Sequence, residues 1–310
     1  MADSAPPLNT PLTAGSSTPN RGIVLIVLAA ALWGTVGIAT KALYSISDTN
    51  PLTVGFFRLA FSVPALTLAC WYVTRRLWFA STARDLGLMA GLGVAMAAYQ
   101  VFYFAAIAQV GVTIAVLVTL CSAPVIVGIL AVVFLREQMT IQVGVALVAA
   151  LAGTVLLVNS QPDDATVTGS LVLGVALAAG AGLSYSSVVL FSRTLADRYH
   201  PLQPIMVGFA IGAVLLLPFA LIGGLVLTYS LQGWLLLLHL GIIPTALGYL
   251  LFLSGLRSTP ATVASIATLI EPLTSAVLAW VLFGERLGPL GIAGGVLLLG
   301  AMLMLSVRRG

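Results

Sequence analysis

Charge is what this sequence has least of. Only 7% of its 310 residues are Asp, Glu, Lys or Arg, against about 25% in an ordinary soluble domain. Thirteen basic and nine acidic side chains cannot wet the surface of a globule this size. A soluble fold is therefore excluded, and lipid is the solvent that remains. Cysteine is nearly absent as well. Cys70 and Cys121 both fall inside apolar runs, which excludes a disulfide framework and a thiolate metal site, so no metal or other cofactor is expected. The net charge of +4 is scattered rather than clustered, so nucleic acid is not an expected partner. No HExxH, CxxC, nucleotide-binding loop or nucleophile elbow occurs. That argues against an ATP-driven pump and an integral protease. No catalytic residue is assigned and the chain is not expected to be an enzyme.

What is present is apolar length. Hydrophobic residues make up 60% of the chain. They fall in runs of roughly 20 residues, the length that crosses a ~30 Å hydrocarbon core as a helix. The runs do not alternate, and backbone groups in lipid must be satisfied within the segment, so they are read as helices. Ten are expected: about 23–44, 51–73, 86–108, 112–134, 141–159, 169–192, 203–227, 233–256, 262–283 and 289–307. Residues 1–20 carry four prolines and no basic residue, the composition of a disordered leader. The fold class is an all-α membrane protein.

Lys and Arg set the orientation. With the amino terminus inside, ten fall on cytoplasmic connections (Arg21, Arg75, Arg76, Arg84, Arg136, Arg193, Arg198, Arg257, Arg308, Arg309). Two, Lys41 and Arg286, fall outside, and Arg58 lies within the second helix. Both termini are therefore expected in the cytoplasm, and the chain in a bacterial inner membrane.

The halves resemble one another. An offset of 148 residues sets Gly93 on Gly241, Phe104 on Phe252, Pro124 on Pro272 and Glu137 on Glu285. A slightly different offset near the start of each half pairs Trp33 with Tyr185. Residues 21–160 and 169–310 are thus read as two five-helix repeats. An odd number of helices per repeat makes the copies inverted, the architecture of alternating-access transporters, whose substrates bind near the midplane.

Candidate site residues follow from polarity at membrane depth. Glu271 falls midway along the ninth helix, just before Pro272. A carboxylate there costs about 3 kcal/mol and normally faces protein or water. It can meet a substrate ammonium, carry a proton, or simply support a bend. Arg58 lies about two turns into the second helix, placed to fork a substrate carboxylate, to snorkel, or to pair with another helix. His239, near the outer end of the eighth helix, can titrate or pack. Tyr99 and Tyr103 share a face of the third helix beside Gln100. With Trp33, Tyr185 and Tyr249 they imply a cavity walled by rings and hydroxyls, plain bundle packing being the alternative. Pro124 and Pro272 each begin a segment that ends in a glutamate, "PVIVGILAVVFLRE" and "PLTSAVLAWVLFGE". Glu137 and Glu285 are read as caps on the neighbouring helix start.

Those two segments, with "ALWGTVGIATK" and "PLTVGFFRLAFS", resemble the drug/metabolite transporter superfamily, in its EamA-type ten-helix group. The resemblance covers about 21–308. It implies the inverted five-plus-five fold, alternating access, and a central cavity near Trp33 and Arg58 and the middles of helices three, four, six, eight and nine. Aromatic amino acid and methionine exporters are the nearest look-alikes. The chain lacks the late-helix Lys and Arg residues of the sugar-phosphate relatives.

The expected function is secondary export of amino acids or related metabolites, the substrate being a zwitterionic amino acid and the only other partner membrane lipid. Nothing in the sequence demands an oligomer. Efflux of lipophilic cations paired with Glu271 is a second reading. A membrane enzyme or scaffold is a third, and it would need a polar catalytic cluster that is not found.

Overall fold

The computed structural model describes residues 19–75, 81–159, 169–283 and 288–306. The described residues are helical and contain no strand. Ten helices are long and apolar enough to cross a membrane. They are α1 (Pro19–Ile46), α2 (Pro51–Thr74), α3 (Ala83–Gly111), α4 (Ile114–Leu135) and α5 (Ile141–Val158). Then follow α6 (Leu171–Leu195), α7 (Leu202–Ile222), α8 (Leu231–Leu256), α9 (Ala261–Leu282) and α10 (Pro289–Ser306). Helix begins at Pro19, two residues inside the segment read as a leader. The rest of that leader, Arg76, Glu285, Arg286, Arg308 and Arg309 lie outside the described residues. Large apolar side chains such as Val148, Val172, Val214 and Leu303 point outward, a surface that only lipid covers without cost.

Short polar side chains start the helices. Thr82, Thr140, Ser170 and Ser230 each accept from a backbone N–H three residues on, capping α3, α5, α6 and α8. Asn50 caps α2 the same way, and its amide also donates to the Gly223 and Gly224 carbonyls at the end of α7. That α7 ends at Ile222 corrects the sequence expectation, which ran it to residue 227. Gly224 takes φ +79°, open to glycine at no cost, and breaks the helix although Leu225, Val226 and Leu227 are apolar. Gly111, at φ 78°, turns α3 directly into α4.

The packing exchanges helices between the halves. α1 packs on α8 and α9, while α6 packs on α3 and α4. Buried hydroxyls lie in the second group: Thr119 donates to the Ala178 carbonyl at 3.1 Å, and the Ser186 hydroxyl, whose nearest acceptor is the Gly182 carbonyl at 2.7 Å, lies 3.2 Å from that of Ala123, beside Pro124. Two further pairs, α2 with α7 and α5 with α10, complete the bundle. The α5–α10 contact is backbone on backbone. A methyl group on Gly153 would stand 2.7 Å from the Gly294 carbonyl oxygen, so glycine is needed on both sides.

Glu137 joins the two groups. It sits just past α4, and the sequence assigned it to the next helix start, that of α5. Thr140 fills that role. The Glu137 carboxylate instead reaches the start of α9, accepting from the Ala261 amide at 2.6 Å, the Thr262 amide at 3.1 Å and the Thr262 hydroxyl at 3.0 Å. Pro260 precedes that helix and offers no capping side chain. A negative charge over a helix amino end is favoured by the helix dipole as well. At the same membrane face Asp85 accepts from Arg198 Nη1 at 2.6 Å and from the Tyr199 hydroxyl at 2.9 Å, tying α3 to the α6–α7 turn. Burial, with Asp85 next, raises the Tyr199 phenol above its ordinary range.

Two outcomes are expected in detergent-solubilised protein. Gly153→Val should lower the melting temperature, by overpacking worth about 1–3 kcal/mol, while Gly87→Ala, with open space around it, should leave it unchanged. Glu137→Ala should cost about 2–3 kcal/mol by leaving charge-assisted bonds unmade, and hydrogen exchange should rise at Ala261 and Thr262 ahead of the rest of α9.

Candidate functional site

The site is built on Trp33, at mid-length of α1. Its indole Nε1 donates to the Pro244 carbonyl of α8 at 2.9 Å. Pro244 lies in a wide, π-helical turn over Gly241–Leu247, an irregularity tolerated at membrane depth only where neighbours satisfy the freed groups. Around the indole gather Tyr249 at 4.9 Å, Phe252 at 5.4 Å and, edge-on at 83°, Tyr185 at 6.3 Å between ring centroids. Tyr99 packs on Tyr185 at 6.0 Å and stacks with Tyr103 at 5.7 Å. Five candidates from α1, α3, α6 and α8 therefore form one continuous wall of rings.

Glu271 enters from α9. The helix tightens to a 3₁₀ turn over Thr268–Ile270, and the Glu271 amide closes that turn on the Thr268 carbonyl, one residue before Pro272. Gly34 of α1 fits against this bend: a methyl group there would meet Thr274 at 2.7 Å and the Glu271 carbonyl at 3.0 Å. Ser275 adds a hydrogen bond to the Gly34 carbonyl at 2.7 Å. The bend thus holds Glu271 beside the indole wall.

Arg58 enters from α2. Its Nε donates to the Thr245 hydroxyl at 3.3 Å. The fields of Arg58 and Glu271 both reach Tyr99, Tyr103 and Tyr249, so the two charges share one space with the rings. They are not an ion pair. Among the described residues, ion pairs join Arg193 to Asp197 and Arg198 to Asp85, and none joins Arg58 to Glu271. Nor does a hydrogen bond from the described residues reach the Glu271 carboxyl. Both side chains, with Tyr99, Tyr103 and Tyr185, are only half-buried, although helices surround them. The Tyr185 hydroxyl faces Thr268 yet makes no hydrogen bond of good geometry. Two charges left without an opposite partner in low dielectric cost several kcal/mol, so both groups are open to a polar partner.

Two candidates stand apart. Gln100 is buried against Gly55 of α2, its amide 3.3 Å from where a methyl group on that glycine would lie. His239 takes no part in the ring wall; its Nε2 lies 3.3 Å from the Thr35 hydroxyl, toward the amino end of α8. Thr245, which accepts from Arg58, was not among the sequence candidates, and Pro244 beside it at membrane depth is the signal that could have found it. A second ring cluster, Phe57, Phe61, Tyr229 and Trp234, was also missed. It ties α2 to the start of α8, with Thr49 and Tyr229 hydroxyls 2.5 Å apart. At the opposite membrane face a cleft of about 530 Å³ opens below the Glu137 bonds, lined by Ile23, Gln142, Thr259 and Leu305 among others.

Comparison with known proteins gives this arrangement a family. An uncharacterized transporter of Bacillus subtilis, YwfM, is 34% identical over 285 residues, covering 91% of this chain and 93% of its own. The pseudopaline exporter CntI of Pseudomonas aeruginosa is 26% identical over 288 residues, covering 92% of this chain and 95% of its own. A solved crystal structure superposes with a TM-score of 0.77 at 18% identity, covering 91% of this chain and 95% of that one, which shows a shared fold. The EamA-like transporter family model matches twice, over residues 20–159 and 172–307. The chain is thus a multi-pass membrane protein and belongs to the EamA-like transporter family.

Proposed function

We propose that this protein is a secondary transporter that exports amino acids or related small zwitterionic metabolites across the inner membrane by alternating access. The observation that carries the reading is that Arg58 and Glu271 stand by one aromatic wall without pairing with each other. A zwitterion supplies both missing partners: its carboxylate to the guanidinium, its ammonium to the carboxylate. The Trp33, Tyr99, Tyr185 and Tyr249 rings give an apolar or aromatic side chain its surface, and an ammonium its cation–π contacts. Export of pseudopaline by a 26% identical relative supports small-metabolite export. Two inverted repeats, about 21–160 and 169–310, with both termini in the cytoplasm, form the framework. The double family match and the exchange of α1 and α6 between the halves support that relation.

The decisive test is flux in proteoliposomes with a panel of labelled amino acids. At least one should show saturable uptake; none doing so would sink the reading. Arg58→Ala should raise the KM of that substrate about tenfold or more, the loss of a charge-assisted contact. Lipophilic-cation efflux is favoured by the carboxylate among rings. It overtakes the first reading if Glu271→Gln abolishes resistance to such cations and leaves amino-acid flux intact. Reporter fusions at either end should give signal on the cytoplasmic side alone.

A further inference from the structure

We propose that Thr245 is a positioning residue that sets the Arg58 guanidinium for a carboxylate, and so makes the site prefer amino acids over their carboxamides. The inference rests on the reading that Arg58 receives the substrate carboxylate.

The Thr245 hydroxyl has one proton, and it is committed: the oxygen donates to the Leu240 carbonyl at 2.7 Å, across the π-helical turn. Toward Arg58 it can therefore act only as an acceptor, and it takes the Nε–H at 3.3 Å. The side chain is buried, at 1% exposure, so water does not compete for the bond. A guanidinium held at Nε has its side-on edge occupied. The end-on edge, with Nη1 and Nη2, stays free, and no acceptor among the described residues reaches it. That edge is the fork that matches a carboxylate with two parallel bonds.

The backbone permits the approach. Gly241 opens the same turn, and a methyl group there would stand 2.6 Å from the Phe61 Cβ and 3.3 Å from the Arg58 carbonyl. Glycine thus lets α2 close on the turn until the Arg58 side chain meets Thr245. The turn also holds Trp33 through the Pro244 carbonyl. One seven-residue turn fixes both the cation and the central ring.

The test uses the full chain in proteoliposomes, with L-phenylalanine and L-methionine as probes, each beside its carboxamide. Thr245→Val keeps the shape and removes the hydroxyl; Thr245→Ser restores it. Thr245→Val should raise the KM of the amino acids about tenfold, the scale of one charge-assisted hydrogen bond. The maximal rate and the carboxamide KM should hold, and Thr245→Ser should return the wild-type preference. If Arg58→Ala loses the preference while Thr245→Val keeps it, Arg58 reads the carboxylate without Thr245, and this inference fails although the transport reading stands. A fall in maximal rate for all probes that Thr245→Ser does not rescue makes Thr245 a structural residue and overturns the inference too. Absence of saturable wild-type flux of both amino acids removes the substrate reading and this inference with it.

Discussion

A carbonyl released inside a membrane helix must find a donor, because hydrocarbon offers none. Pro244 and Pro272 both create that demand at mid-membrane, and the structure meets it in two different ways. In α8 the turn widens to a π-helix, and the Thr245 hydroxyl takes the Leu240 carbonyl that Pro244, four residues on, leaves without a donor; the indole of Trp33 comes in from α1 to the Pro244 carbonyl beside it. In α9 the turn tightens to a 3₁₀ helix, which closes on itself through the Glu271 amide. The positions of Trp33 beside the α8 turn and of Glu271 at the α9 turn are consequences of how these backbone hydrogen bonds are met.

The remainder of the interior is organised to let backbones close in. Gly153 meets Gly294 across α5 and α10, and Gly34 meets the bend in α9. Apolar burial does not drive helices together in lipid as it does in water, so close van der Waals contact and interhelical hydrogen bonds take its place. Thr119 and Ser275 each donate to a carbonyl of another helix for that reason.

Membrane depth and helix number were legible in the sequence because length and hydropathy report them directly. The Trp33–Tyr185 pairing was legible too: an offset between the halves put them opposite one another, and the rings meet edge-on at 6.3 Å. What the sequence does not carry is rotation about a helix axis, since a membrane helix that is apolar all round has no polar face to orient it. His239 on α8 meets Thr35 of α1, whereas Arg58 on α2 meets Thr245 of α8, and neither partner can be read from residue type and spacing alone. The π-turn was equally hidden, because seven residues read the same in either helix type. Glu137 was misdirected for another reason. A chain reading favours the nearest helix start, and its true partner is 124 residues away.

The Glu137 bonds have the right size for a transporter. They span from α4, in the group with α3 and α6, to α9, in the group with α1 and α8. On the proposed reading, a pair of bundles that rock about a central solute needs a contact that holds one arrangement and yields to the other. Three hydrogen bonds to a carboxylate are worth a few kcal/mol net. That is enough to make one state dominant, and small enough for a ligand with a comparable difference in affinity to reverse it. A larger hydrophobic seam at the same place would lock the bundle. On the proposed reading, the two carboxylates divide the labour by their partners. Glu137 is satisfied by protein and holds a conformation, whereas Glu271 is left without a protein donor and waits for the solute. The same chemistry, at two depths, serves opposite ends because one has its hydrogen bonds and the other lacks them.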